Sequence, residues 1–173
     1  MTGFIHDEHP FSDPEGGRDP VRRLRGRLAA PVTIVTAGDA ERPVGLTVSS
    51  LVVAGDEASG MVHFVLGPDS YVWDVIQETG GFVVHVLEGP QRTLADRFAG
   101  IRPSPGGPFA GVDVVASEFG PVITACPTRA GCRLVGVRTE NDHLLVSGSI
   151  EIVAVHELTD PLQWFRGGYL TGR

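Results

Sequence analysis

Lysine is missing from this chain altogether: all 14 of its Lys/Arg cations are arginines. Without a lysine amine no Schiff base can form on the protein, which excludes the usual pyridoxal phosphate enzymes. A Walker-type phosphate loop is excluded with it, because that loop needs its lysine. Positive charge is scarce in total. The 21 acidic residues outnumber the 14 basic ones, leaving a net charge of −7, which argues against nucleic acid as a partner. Cysteine is limited to Cys126 and Cys132. The two form no CxxC pair and fit no zinc spacing, so the expectation is two buried thiols in a reducing compartment. No apolar run approaches the ~20 residues of a membrane helix, and the N-terminus lacks the charged-then-apolar pattern of a secretory signal. A soluble, cytoplasmic protein with no membrane partner is the expectation.

What is present suits one globular domain. The 173 residues are 42% hydrophobic and 20% charged, enough for a sizeable single core. Residues 1–18 read as a flexible tail, rich in Asp, Glu, His, Pro and Gly without periodicity. His6 and His9 flank Asp7 and Glu8 there, but a metal site needs rigid support, and no metal is expected. Asp19-Pro20 then opens a helix as N-cap and first helical residue, with Val21, Leu24 and Leu28 on one face and four arginines on the others.

Strands follow. Val32–Thr36 is a β-branched run, Gly38-Asp39 a turn, and Val44–Leu51 the return strand, continuing through Val52-Val53-Ala54. Met61–Leu66 is the next strand. Ser70 begins a helix with Val72, Trp73, Val75 and Ile76 at helical spacing and Gly80 as its stop. Phe82–Leu87 alternates, with His85 on the face opposite Phe82, Val84 and Val86. A lone His on a strand is most often a satisfied structural residue. Pro90–Gly100 is a second short helix carrying the Leu94/Phe98 pair. Ile101–Val112 is a Gly/Pro loop, either disordered or a lid. Val112–Ser117 and Val122–Ala125 are short extended segments. Cys132–Thr139 and Leu144–Val155 form a hairpin about Glu140-Asn141-Asp142-His143, with Leu144, Val146, Ile150 and Ile152 on one face.

The stretch with chemical content is Val44–Leu51. Thr47, Ser49 and Ser50 put three small hydroxyls in four positions of an extended chain. They can be the wet face of a half-buried strand. They can equally let a flat ligand approach the main chain and receive hydrogen bonds without added charge. Ser70 stands where a helix N-terminus offers free N–H groups and partial positive charge, as a plain cap or as a cap that also meets a phosphate.

Gly45-Leu46-Thr47-Val48-Ser49-Ser50 resembles the G-x-T-[VA]-S-[SA] signature of the flavin reductase-like, FMN-binding split-barrel family, and the likeness runs from about Leu24 to Tyr169. Ser70 is similar to the first Ser of the family's S-x-T motif, with Val72 in place of the Thr. Leu94-Ala95-Asp96-Arg97-Phe98-Ala99 resembles its L-A-x-x-F-A station, and Phe109-Ala110-Gly111-Val112 its F-x-G-V segment. Asp160–Tyr169 resembles its P-L-x-[YF]-H-x-G-x-Y ending, with Phe165 for the His.

The resemblance implies a mainly β fold over residues 19–173: an antiparallel FMN-binding split barrel with flanking helices, paired into a homodimer. It implies FMN, or FAD, as cofactor and NAD(P)H as electron donor, with room for a partner monooxygenase. The flavin would face the backbone of Thr47, Val48, Ser49 and Ser50. Ser50, Ser70 and Arg97 would serve its phosphate, while Phe98, Ala99, Tyr169 and the loop after Gly100 would close the pocket. Phe165 and Arg166 would stand near the nicotinamide. No catalytic side chain is required, since the flavin itself carries hydride chemistry. Two other functions fit the same barrel: a flavin- or haem-binding protein without turnover, and a deazaflavin-dependent oxidoreductase.

Overall fold

The computed structural model describes residues 19–102 and 104–170. The expectations for residues 1–18, the flexible tail and the His6–His9 group, lie outside the described residues. Helix α1 (Pro20–Arg25) starts as its sequence dictates: Asp19 Oδ1 accepts from the Val21 N–H at 3.0 Å and Pro20 takes the first turn. Its apolar face finds no cover among the described residues, for Val21, Leu24 and Leu28 are all exposed.

The strands are β1 (Ala30–Pro31), β2 (Thr33–Ala37), β3 (Val44–Val48), β4 (Val52–Ala54), β5 (Met61–Leu66), β6 (Gly81–Val86), β7 (Val114–Val115), β8 (Val122–Ile123), β9 (Arg129–Glu140), β10 (His143–Ala154), β11 (Gln163–Phe165) and β12 (Gly168–Tyr169). Helix α2 (Tyr71–Thr79) sits between β5 and β6, and α3 (Arg92–Phe98) follows β6 after a single 3₁₀ turn. Seven strands make one antiparallel sheet in the order β3-β2-β6-β9-β10-β5-β4, and β1-β11-β12 and β7-β8 form two small ones. The fold is therefore mainly β and antiparallel, with few helices.

The sheet order corrects one expectation. The run from Val44 to Ala54 is two strands, not one. β3 ends at Val48 on one edge of the sheet, paired to β2, and β4 starts at Val52 on the opposite edge, paired to β5. Only three residues join them. Four Cα steps span about 14 Å at most, so the sheet has to curl until its two edges nearly meet. No β3–β4 ladder closes it among the described residues. Ser50 sits at the seam. Its Oγ accepts from the Val65 N–H at 2.9 Å and lies 3.3 Å from the Val65 carbonyl, standing in for a backbone partner on β5.

Three smaller expectations also change. Ile152 does not share the face of Leu144 and Val146: a register shift between Ile150 and Ile152 inserts an extra residue, and side chains beyond it swap faces. The segments at Val112–Ser117 and Val122–Ala125 shrink to the two-residue strands β7 and β8, because the chain turns at Ser117–Gly120, where the Ser117 Oγ donates to the Gly120 carbonyl. The alternation of β6 does not leave a wet face. β6 is central, and Gly81 through His85 are all buried.

The larger core lies between the sheet and α2, built on Phe64, Phe82, Val72, Trp73 and Ile76. The smaller packs β2, α3 and the C-terminal hairpin around Ile34, Leu87, Phe98, Ile123 and Leu162. The candidate site lies where α2 and α3 both meet β3.

Candidate functional site

Gly45 on β3 organises the site. A Cβ there would stand 2.6 and 2.9 Å from ring atoms of Phe98 and 3.3 Å from Phe109. Only glycine lets the α3 aromatic lie on the strand. Phe98 and Phe109 meet edge to face, with ring centroids 4.8 Å apart. Thr47 Oγ1 donates to the Ala95 carbonyl at 2.7 Å, tying β3 to α3. From the other side Tyr71, the first residue of α2, donates its hydroxyl to the Gly45 carbonyl at 2.9 Å. Partial burial raises the Tyr71 pKa, which keeps that hydroxyl a donor. Between these elements and the loop beyond Gly100 opens a cleft of about 300 Å³, lined by Leu46, Tyr71, Arg97, Phe98, Ala99, Gly100, Arg102 and the loop residues Ser104, Gly107 and Pro108.

The loop forming the outer wall is turned and packed. Gly100 has φ +69°, and the Gly100 N–H bonds the Arg97 carbonyl while the Ile101 N–H bonds that of Asp96. These two bonds make a Schellman stop. Ser104 Oγ donates to the Gly107 carbonyl, and Arg97 Nη1 to that of Ala110 at 2.9 Å. Phe109 and Val112 anchor the loop on the smaller core.

Behind the cleft lies a polar group. Asp96 is buried on α3; its Oδ1 accepts from the Tyr169 hydroxyl at 2.7 Å and its Oδ2 from Arg102 Nε at 3.2 Å. Burial is the first cause, and the Asp96 bond the second, of a Tyr169 pKa well above the ordinary phenol, so Tyr169 is a neutral donor. Its ring meets Trp164 edge to face and carries the Arg92 guanidinium at 4.9 Å.

The expected site residues divide into groups. Arg97, Phe98 and Ala99 line the cleft. Thr47 and Val48 belong to its strand, with the Thr47 hydroxyl committed to α3. Ser70 precedes Tyr71, and its side chain makes no capping bond. Val72 is fully buried in the larger core. Ser49 and Ser50 are exposed at the bend after β3, with the Ser50 hydroxyl on β5. Tyr169 reaches the cleft only through Asp96 and Arg102. Phe165 and Arg166 do not line it. Trp164 pairs with Tyr169 and faces the smaller core, and alternation puts Phe165 on the other face of the hairpin, under the Arg166 guanidinium at 5.3 Å.

Tyr71, Asp96 and Arg102 were not anticipated. Asp96 carried a signal, an acid inside a helix whose neighbours Ala95 and Phe98 pack into the core. Tyr71 and Arg102 owe their places to the approach of separate elements. Among the described residues no group of three or more His, Cys, Asp or Glu could hold a metal, and no helix is long and apolar enough to cross a membrane. Cys126 and Cys132 are free and buried, their thiols pushed up to about 12 by burial.

Apolar and aromatic lining from Leu46 and Tyr71, two arginines and, among the described residues, no carboxylate fit a planar aromatic ligand with an anionic tail. Comparison with known proteins agrees. The family described as "Flavin reductase like domain" matches residues 25–173. The chain is 33% identical over 174 residues to the NADH-dependent FMN reductase of Streptomyces nodosus subsp. asukaensis, covering 96% of this chain and 90% of that one. It is 29% identical over 151 residues to the reductase subunit of a flavin-dependent monooxygenase from Mycobacterium tuberculosis, covering 86% and 79%. Among solved structures it resembles nitrilotriacetate monooxygenase component B from Mycobacterium thermoresistibile, with a TM-score of 0.76 and 29% identity over 87% of this chain and 83% of that one.

Proposed function

The chain belongs to the flavin reductase-like family, and from that premise we propose that it is an NAD(P)H-dependent flavin reductase that binds FMN, or FAD, in the cleft between β3, α2 and α3. The single observation that carries this reading is the cleft itself, with aromatic and aliphatic lining and, among the described residues, Arg97 and Arg102 as its only charges. The bound flavin supplies the redox chemistry, taking hydride from the nicotinamide. The protein supplies the surface. Leu46 and the exposed Tyr71 ring offer apolar area to the ring system, and Gly45 allows the close approach of α3, with Phe98 buried beneath, that shapes it. No lining side chain has to move a proton.

The curled sheet, with its edges joined by three residues, supports the split barrel, and its exposed edges support a homodimer. Phe165 and Arg166 lie off this chain's own cleft, so their role toward the nicotinamide donor requires the cleft of the second subunit. A cytoplasmic location and a partner monooxygenase complete the reading. The partner is supported by relatives named as the reductase subunit of a flavin-dependent monooxygenase and the reductase component of 4-hydroxyphenylacetate 3-monooxygenase.

The test is a titration of purified protein with FMN and FAD, followed by NADH and NADPH oxidation. Flavin binding with weak nucleotide oxidation is expected, because Phe165 cannot donate a hydrogen bond to a carboxamide where the family has His. Losing one such bond costs about 0.5–1.5 kcal/mol. Phe165→His should therefore raise kcat/KM several-fold. Efficient wild-type turnover unimproved by the substitution would refute the role of position 165, and absence of flavin binding would refute the reading as a whole.

A further inference from the structure

Helix α1 has only six residues, and a helix so short is marginal in water unless an apolar face is packed. Its own apolar side chains, Val21 and Leu24, and Leu28 in the turn beyond are exposed among the described residues. A backbone bond ties the helix end to the C-terminal hairpin: the Arg166 N–H, at the tip between β11 and β12, donates to the Gly26 carbonyl at 3.2 Å. The contact gathers cations. Arg23, Arg25 and Arg27 beside Gly26, and Arg166 opposite, are exposed, and none of them makes an ion pair among the described residues. This cluster stands on a chain whose net charge is −7.

We propose that residues 1–18 dock on this surface of their own chain. Their sequence complements it twice. Asp7, Glu8, Asp13 and Glu15 supply carboxylates for the arginines, and Phe4, Ile5 and Phe11 supply apolar side chains for Val21, Leu24 and Leu28. Pro14, Gly16 and Gly17 precede the helix, and these residue types favour a reversal of the chain. Reach does not limit the contact. The apolar face extends about 10 Å from Val21 to Leu28 at helical rise, whereas residues 4–16 span up to ~40 Å when extended. The segment joins α1 directly at Asp19, so docking is intramolecular, with a local concentration on the order of millimolar. Exposed ion pairs are individually weak; the apolar contacts hold the segment and the charges set its register. The β4 edge, Val52-Val53-Ala54, carries no charge and is left to a second copy of the chain. Docked on α1, the segment braces the hairpin tip that holds Phe165 and Arg166. The docking is independent of the flavin reading.

The test is hydrogen exchange of the full chain, read by mass spectrometry at the Arg23, Gly26, Arg27 and Leu28 amides, which bond within α1 and its last turn. These amides should exchange slowly in the wild type at low salt. Neutralising the segment with Asp7→Asn, Glu8→Gln, Asp13→Asn and Glu15→Gln together should speed them roughly tenfold, and about 0.5 M salt should speed the wild type while leaving this variant unchanged. Phe4→Ser with Phe11→Ser should speed them at low and high salt alike. The β2 and β6 amides should keep wild-type rates throughout. Wild-type α1 amides that already exchange as fast as in the variants overturn the proposal, as do variants that exchange as slowly as the wild type. Protection that falls on dilution and survives both sets of substitutions gives the face to a second copy and overturns it too. A loss that extends to β2 and β6 would be global unfolding, and would overturn it as well.

Discussion

His85 is fully buried on β6 and bridges two backbone groups: Nε2 accepts from the Ile123 N–H at 3.0 Å, so Nδ1 carries the proton and donates to the Ile34 carbonyl at 3.2 Å. Burial holds its pKa down to about 4, against 6.5 for a free histidine. The unfolded chain therefore binds a proton that the folded one refuses, and folding stability falls as pH drops from 6.5 towards 4. At about 1.4 kcal/mol per unit the loss at the acid end is on the order of 3 kcal/mol. Thermal melts between pH 7 and 4.5 should show a falling Tm, and His85→Asn should flatten the fall in that window; an identical slope in the variant would remove His85 as its cause. That His85 is structural was legible, since an isolated histidine on a strand has no obvious chemical partner. Its two backbone partners, far away in sequence, were not.

Among the elements, α3 does most to shape the site. Its sequence showed where it ends, because Gly100 is the residue that can take the left-handed stop. It did not show that Phe98 comes to rest on Gly45. Gly45→Ala would place a methyl carbon 2.6 Å from the edge of the Phe98 ring, so α3 or the ring must shift. Overpacking of this kind costs about 1–3 kcal/mol. We expect a lower Tm together with weakened FMN binding, read by thermal melt and flavin titration. Wild-type values for both would mean that Phe98 does not lie on β3. The neighbouring α2 was equally legible at its end, with Gly80 at φ +69°, and the β9–β10 hairpin at its turn, with Asn141 at φ +52°. The break between β3 and β4 was not. Ser49 and Ser50 continue an extended pattern, and nothing local distinguishes a strand that goes on from one that changes partners.

At the scale of the molecule, much apolar surface is left without cover among the described residues. Val52 and Val53 on edge strand β4, Val135 and Val153 on the long hairpin, Val155 just beyond it, and the apolar face of α1 are exposed. Edge strands and apolar patches of this kind are commonly covered by twofold pairing. The protein is expected to be a homodimer, with a mass of twice the chain by light scattering at micromolar concentration and with flavin bound. A monomeric mass under those conditions would leave the Phe165 proposal without the second subunit it requires.

The sequence by itself determined most of the elements, the β3–β4 break apart, and the class of chemistry. Periodicity, capping residues and glycine stops are local, and the stations Gly45–Ser50, Leu94–Ala99 and Asp160–Tyr169 stand in an order that marked the family. The absence of lysine and the net negative charge removed whole classes of function before any fold was known. Tertiary structure alone decided which hydroxyls are spoken for. Thr47 is bound to Ala95 and Ser50 to Val65, contacts that depend on how far the sheet curls. It alone also brought Tyr71, Arg97 and Arg102 around one cleft and set Tyr169 behind Asp96. The physical reason is the same in each case: a side chain's partner lies on another element, and sequence patterns specify the face a residue takes, not what arrives to meet it.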